Sequence, residues 1–409
     1  MTRTDRGARK ILFSVLRRLS AGSLTIIDSD GKYQFGPQDG GISRATVNVH
    51  SLGVYRQVLQ HGSVGLGKTY IDNDWDTDDL AVFLQMCARE LPRLEPLRHR
   101  IDRVTQPVLG PIRRVAYRNN KSKDRDNIHS HYDLGNDFFA QFLDPTMMYS
   151  SAYFPNEVLS LEEASREKLA RLCTKLQLCS EDHVLEIGSG WGEFACFAAK
   201  NYGCRVTTTT ISTEQERHVR ERVQREGLSA QITVLGQHYR DLVGTFDAVV
   251  SIEMIEAVDW RDHQTFFHTC AQRLTPKGRL GLQAIVIGDQ RYERAKTNED
   301  FIKRYVFPGG CLPSVQAIMT ATTKATDFSL TDLEDFGHHY GETLRRWRVQ
   351  FNQHRDALTE RGYDETLQRL WNFYLAYCEG GFVERYVSVV QAVFVRPQWR
   401  PNGLQARSV

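Results

Sequence analysis

Between residues 160 and 287 the apolar positions switch repeatedly between two periods. Leu161, Leu169, Leu172 and Leu176 recur at helical spacing behind Ser160 and Glu163, which stand as the two ends of a capping box. Short apolar runs at 184–187, 205–210, 232–235, 246–251 and 280–287 predict strands. The stretches 193–200, 214–226 and 264–274, and after a long insertion 344–354 and 366–377, carry the helical period. Residues 389–395 predict a last strand. Strands alternating with helices predict a parallel-rich sheet covered on both faces. Ligands of such sheets bind at the carboxyl ends of the strands.

The first part of the chain is patterned differently. Leu24, Ile26 and Ile27 lead into Ser29-Asp30-Gly31, and Tyr33 and Phe35 follow, which predicts a hairpin over 24–36. A strand at 46–49 and helices at 52–60 and 80–89 come next, the second capped by Thr77 or Asp78. Residues 1–105 therefore read as a small α+β domain, 106–126 as a basic linker, 127–397 as the main α/β domain and 398–409 as a tail. At the very start Arg3, Arg6, Arg9, Lys10, Arg17 and Arg18 interleave with Ile11, Leu12, Val15, Leu16 and Leu19. This is a basic amphipathic helix, suited either to anionic lipid headgroups or to packing on its own domain.

The strand at 184–187 runs into Gly188-Ser189-Gly190-Trp191-Gly192, with Glu186 two positions before the first glycine. Glycines at a strand-to-helix turn let the backbone bend tightly and let a nucleotide-like ligand approach the helix N-terminus. Glu193 stands where a dinucleotide fingerprint would place glycine or alanine. An acidic residue before the turn can meet a cationic amino-acid portion, so the turn reads as a site for S-adenosylmethionine (SAM) rather than NAD.

Composition narrows the class. The 409 residues are 41% hydrophobic and 25% charged with a net charge of +2, a globular balance in which local basic patches matter more than the total. The eight cysteines form no CxxC pair and several sit in apolar helical surroundings, which predicts reduced thiols in a cytoplasmic protein. No apolar run reaches about 18 residues, and no signal-peptide pattern opens the chain. His129 and His131 have no partners at ligand spacing, so no metal is expected. No nucleic-acid module is recognisable. A basic run (Arg113, Arg114, Arg118, Lys121, Lys123, Arg125) precedes a dense segment of aromatics, methionines and short polar groups from His129 to Phe154, of the kind that wraps a ligand.

Six collinear blocks resemble the cyclopropane-fatty-acyl-phospholipid synthase family of SAM-dependent methyltransferases. They are His131-Tyr132-Asp133-Leu134-Gly135-Asn136-Asp137, Tyr149-Ser150, the glycine turn, Thr210-Ile211-Ser212 with Gln215, Arg304 to Gly310 with Leu312-Pro313-Ser314, and Cys378-Glu379-Gly380-Gly381-Phe382. The resemblance implies a Rossmann-like methyltransferase sheet with helices on both faces, joined to a small N-terminal domain that helps to present lipid. It implies SAM contacts at Tyr149, Ser150, Glu186, Gly188, Ser189, Gly190, Trp191, Gly192, Thr210, Ile211, Ser212, Gln215, Tyr239 and Arg240. It also implies a bicarbonate that acts as base, held by Ser151, Glu256, Gln283, Ile285 and Tyr340. Cys378 maps onto a cysteine assigned to the family's active site. A thiol nucleophile makes little sense for methyl transfer to an alkene, so Cys378 reads as lining the acyl channel or packing the fold.

The implied substrate is an unsaturated acyl chain of a membrane phospholipid. An alkene attacks the SAM methyl and leaves a carbocation that Tyr149, Tyr153, Tyr305, Phe307 and Tyr340 would stabilise, and a base then removes a proton to close a cyclopropane. The chain departs from the family's better-known synthases at three positions. They carry histidine where this chain has Gln283 and Ala257, and cysteine where it has Ser151. A glutamine cannot carry a proton as imidazole does. Methylation without ring closure therefore stands beside ring closure as the expected chemistry, and a non-enzymatic lipid-binding protein is the remaining alternative. Peripheral docking at an anionic membrane surface and a homodimer are also implied.

Overall fold

The computed structural model describes residues 3–37, 43–91, 93 and 134–401. The expected basic linker, His129 and His131 lie outside them. The chain divides into two compact units. The first combines Met1–Tyr117 with Thr297–Pro308 and Leu344–Tyr386, and the second combines Arg118–Lys296 with Gly309–Thr343 and Val387–Val409. The units thus depart from the sequence boundaries: two segments of the expected 127–397 domain group with the N-terminal residues.

In the first unit β1 (Ser23–Asp28) and β2 (Gly31–Phe35) form the expected hairpin, with Leu24 opposite Phe35 and Asp28 opposite Gly31. β3 (Arg44–Val49) lies parallel to β1, and β4 (Trp75–Thr77) closes the edge beside β3. The helix Arg3–Leu16 packs on its own unit: Phe13 meets the rings of Tyr33, Phe35 and Tyr55, and Arg9 pairs with Asp28 at 3.0 Å. Its Ile11 stays 51% exposed. The helix beginning at residue 80 is capped by Asp79, which accepts from Val82 N–H at 3.1 Å, while the expected cap Asp78 accepts from Thr46 N–H instead. The helix Ser63–Ile71 has no sequence signature because it contains Gly65 and Gly67. A Cβ at Gly65 would sit 2.1 Å from Gln57 O and one at Gly67 2.2 Å from the Phe301 ring. Close packing, rather than turn formation, requires those glycines.

The second unit carries a seven-stranded sheet in the order β10-β11-β9-β8-β5-β6-β7. Its strands are β5 (His183–Ile187), β6 (Arg205–Thr209), β7 (Ile232–Leu235), β8 (Phe246–Ile252), β9 (Leu274–Ile287), β10 (Ser329–Asp335) and β11 (Val387–Val395). β5 to β9 are parallel, β11 is antiparallel to β9, and β10 is antiparallel to β11. This is the doubly wound α/β sheet that the pattern predicts. One face buries Leu169, Leu172 and Phe194, and the other buries Leu185, Phe266 and Phe267. The capping box forms as expected, with Glu163 N–H donating to Ser160 Oγ at 3.2 Å and Ser160 N–H returning to Glu163 Oε2 at 2.8 Å. β10 escapes the sequence pattern because it is an edge strand whose acids are paired outward, Asp332 and Glu334 with Lys175 and Glu334 with Arg171.

The chain winds outward from β5 to β6 and β7, then returns to the other side of β5 for β8. The strand order therefore reverses between β5 and β8, the place at which sheets of this kind take ligands beside the strands' carboxyl ends. The glycine turn follows β5 there, and Glu253 follows β8.

Candidate active site

The turn after β5 is shaped by three left-handed glycines, with φ of 96° at Gly188, 48° at Gly190 and 86° at Gly192. Gly188 and Ser189 N–H both donate to Thr209 O, at 3.0 and 2.9 Å, which ties the turn to β6. A Cβ at Gly188 would meet Met254 and one at Gly192 would meet Val219, but one at Gly190 would meet nothing within 4 Å among the described residues. The turn opens on space at Gly190. Trp191 is buried, donates from Nε1 to Asn136 Oδ1 at 2.7 Å and packs on Phe139, against which the Tyr149 ring also lies. Glu193 begins the helix Glu193–Tyr202 buried and paired with Arg222. Its side chain anchors that helix to the next one, Thr213–Arg225, which explains why the third glycine of a dinucleotide turn is absent.

Glu186 is 3% exposed and accepts from Thr208 Oγ1 at 2.5 Å. Burial pushes its carboxyl up to about 8, against the single opposing effect of that hydroxyl. A buried acid in this state gains by meeting a cation, as the amino group of SAM would supply. Thr210 Oγ1 donates to Gln215 Oε1 at 2.8 Å and accepts from Ser212 N–H at 3.1 Å, while Ser212 caps its helix through Gln215 N–H. Thr210, Ile211, Ser212 and Gln215 thus form one hydrogen-bonded rim after β6. Tyr239 and Arg240 form a second rim after β7, where Arg240 Nε donates to the Tyr239 hydroxyl at 3.1 Å and pairs with Asp262 at 3.0 Å. These rims border the turn at Gly190, and among the described residues no cationic side chain pairs with Glu186.

Beside the cradle the structure gathers the expected base site around a different acid. Glu253 Oε1 accepts from Ser151 N–H at 2.9 Å and from Gln283 Nε2 at 2.8 Å, and Oε2 accepts from the Tyr340 hydroxyl at 2.7 Å. Glu256, the acid expected there, turns to the Ile285 N–H through Oε1, and its buried Oε2 has no hydrogen-bond partner among the described residues. Ser151, Gln283 and Tyr340 are therefore brought together as expected, and Ile285 stays with Glu256. Burial pushes Glu256 up to about 8, and the Glu253 charge adds to the rise. Burial also raises Glu253, against Lys168, Gln283, Tyr340 and the Ser151 N–H, which favour its charged form.

Sequence reasoning placed Glu253 at the carboxyl end of its strand but gave it no role, and missed Lys168. Lys168 is 0% exposed on the inward face of Leu161–Lys175 and donates to Ser150 Oγ at 2.5 Å. Burial pushes it down to about 8, while the charges of Glu253, Asp144 and Glu193 oppose the fall. Its signal was a lysine between Ala164 and Leu172 on an apolar helical stripe. Cys378 lies on Glu365–Val383 in the first unit, where burial pushes its thiol well above its ordinary value. It is a neutral thiol rather than an activated nucleophile. Tyr305 and Phe307 also belong to the first unit. Tyr153 already carries the Arg171 guanidinium 4.0 Å from its ring centroid, so that face is not open to a second cation. Among the described residues no group of three or more His, Cys, Asp or Glu could hold a metal ion.

Residues 119–392 match the family model described as mycolic acid cyclopropane synthetase. The chain belongs to this family. It is 37% identical over 348 residues to the tuberculostearic acid methyltransferase UfaA1 of Mycobacterium tuberculosis, covering 83% of this chain and 81% of that protein. It is also 37% identical over 368 residues to the cyclopropane-fatty-acyl-phospholipid synthase of Escherichia coli strain K12, covering 89% and 91%. The crystal structure of mycolic acid cyclopropane synthase CmaA1 complexed with SAH and CTAB superposes with a TM-score of 0.62 at 28% identity, over 66% of this chain and 98% of that one. As a member of the mycolic acid cyclopropane synthetase family, the protein is a SAM-dependent methyltransferase.

Proposed function

We propose that this family member methylates the double bond of an unsaturated acyl chain carried by a phospholipid, and that the product is a cyclopropane. The observation that carries the reading is the neighbourhood of two sites at the carboxyl ends of β5 and β8, an open glycine cradle with a buried acid and a carboxylate held by three donors. When bound, SAM supplies a methyl carbon on a sulfonium, electrophilic enough for a weak alkene nucleophile. Glu186 would meet its cationic amino-acid end, and Gly188, Gly190 and the Thr210–Gln215 rim would hold the rest. Trp191, Phe139 and Tyr149 supply an aromatic wall that excludes water beside the cradle. A buried carboxylate nearby stabilises positive charge on the substrate and can accept a proton, which ring closure requires.

The test is incubation with methyl-labelled SAM and vesicles of monounsaturated phospholipid, followed by mass spectrometry and NMR of the lipids. The expected product carries one added carbon and cyclopropane ring protons. Absence of label from the lipid overturns the reading. Labelled lipid without ring signals supports the second reading, methylation without ring closure, which the Gln283 amide favours because it cannot itself take a proton.

We place the reaction at an anionic bilayer surface. Arg6, Lys10, Arg17 and Arg18 are exposed, and no helix among the described residues is long and apolar enough to cross a membrane. Vesicle binding that weakens with added salt is expected. Binding indifferent to salt and lipid charge would contradict surface docking.

A further inference from the structure

Three of the groups that the family resemblance assigns to a bound bicarbonate are already satisfied by this chain. The Ser151 N–H, the Gln283 amide and the Tyr340 hydroxyl all donate to the Glu253 carboxylate at 2.7–2.9 Å. The fourth group, the Ile285 N–H, donates to Glu256. A bicarbonate would find these donors occupied, so the residues present do not fit it. Glu253 itself has a left-handed φ of 49°, a conformation that a residue with a side chain adopts at a cost. Such strain persists where the surroundings hold it, and here the three donors do.

We propose that Glu253 is a built-in replacement for that anion, and that its carboxylate accepts the proton released at the reacting carbons. The inference rests on the methyl transfer proposed above. Glu253 stands at the end of β8, and the next residue, Met254, lies against Gly188 of the cradle. Oε1 takes two hydrogen bonds and Oε2 one, so Oε2 keeps a lone pair for a proton. Lys168, which contributes a favourable charge to Glu253, is fixed on Ser150, the neighbour of the Ser151 that donates to it.

The step balances. The alkene π electrons form a bond to the methyl carbon as its bond to sulfur breaks, and the sulfur keeps that electron pair. The adjacent alkene carbon becomes cationic. A proton then passes from the new methyl group to Glu253 Oε2, and the C–H electrons close the ring. The carboxylic acid returns its proton to water at turnover.

Three proteins decide the matter: the wild type, Glu253→Gly and Glu253→Gln, assayed in carbonate-free buffer and again with added bicarbonate or formate. SAH binding by calorimetry and carbon-13 bicarbonate binding by NMR supply readouts independent of turnover. The wild type is expected to keep its rate in carbonate-free buffer and to bind no bicarbonate. Glu253→Gly is expected to bind SAH as the wild type does, lose about 100-fold or more in product formation, bind bicarbonate and recover activity with it or with formate. Glu253→Gln, which fills the site without a base, is expected to be inactive and not rescued. The proposal is overturned by a wild type that needs bicarbonate, by Glu253→Gly that stays active without an added anion, or by a loss that no small anion restores. A wild type that labels no lipid under any condition instead sinks the underlying methyl-transfer reading.

Discussion

Gln391 donates from Nε2 to Gln283 Oε1 across 3.1 Å, although the two residues are 108 positions apart in the chain. They face each other on the antiparallel pair β11 and β9. The bond fixes the Gln283 amide with its NH2 toward Glu253, and the same Gln391 Nε2 also donates to Lys168 O at 3.2 Å. Two glutamines thus align the acid that departs most from the expected site.

Replacing Gln391 by leucine removes that alignment. Gln283 Oε1 loses a donor in a buried setting, which costs about 1–3 kcal/mol for an unsatisfied group, while Lys168 O, inside the helix Leu161–Lys175, keeps its helical partner. The expected result is a lower urea midpoint together with a lower kcat, while the Kd for SAH measured by calorimetry stays unchanged because the cradle is built from other strands.

Tyr340→Phe keeps the ring and removes the hydroxyl that donates to Glu253 Oε2 at 2.7 Å. Loss of a donor to the charged form raises the carboxyl's pKa further. A base works only when ionised, so the acid limb of the pH–rate profile should move to higher pH. An unmoved limb would show that Glu253 ionisation does not govern turnover.

The glycines of the turn separate folding from binding. Gly192→Ala places a methyl 3.0 Å from Val219 at a φ of 86° and is expected to destabilise the fold. Gly190→Ala enters open space at a φ of 48°, so its cost is confined to the left-handed backbone, about 1–2 kcal/mol. It should nevertheless weaken SAH by more than about tenfold, because the methyl occupies the cradle. Thermal unfolding and calorimetry on the two variants check the contrast.

If Glu186 meets the cationic end of SAM as proposed, SAM affinity depends on pH. Its carboxyl is raised from 4.5 to about 8 by burial, so it is mostly neutral at pH 6–7 and must ionise to meet a cation. Affinity should rise by up to about tenfold per pH unit toward pH 8 and fall again above it, where the ligand's own α-amino group loses its proton. Glu186→Gln should abolish that slope. For stability of the free protein the sign is opposite. The preference of the folded state for protonated Glu186 contributes fully below pH 4.5 and is lost as pH rises through about 8. Melting temperatures of the free protein should therefore fall from pH 6 to pH 9, and saturating SAM should narrow the difference.

Much of this protein was legible in the sequence because the signals were local. Ser160 and Glu163 cap a helix wherever that helix packs, and three glycines after an apolar strand bend the chain by their own conformational freedom. Alternating periods set the β5–β9 order of elements, and the resemblance brought Ser151, Gln283, Ile285 and Tyr340 into one expected site. Only the tertiary structure decided which acid those donors hold. Glu253 and Glu256 are three residues apart on the same loop, and nothing local distinguishes them. The choice is made by the Ser151 N–H, Gln283 and Tyr340, which arrive from three distant segments. Lys168 and the edge strand β10 were hidden for the same reason. The partners that let a lysine be buried, or let an acidic stretch pair as a strand, are supplied by chain remote in sequence.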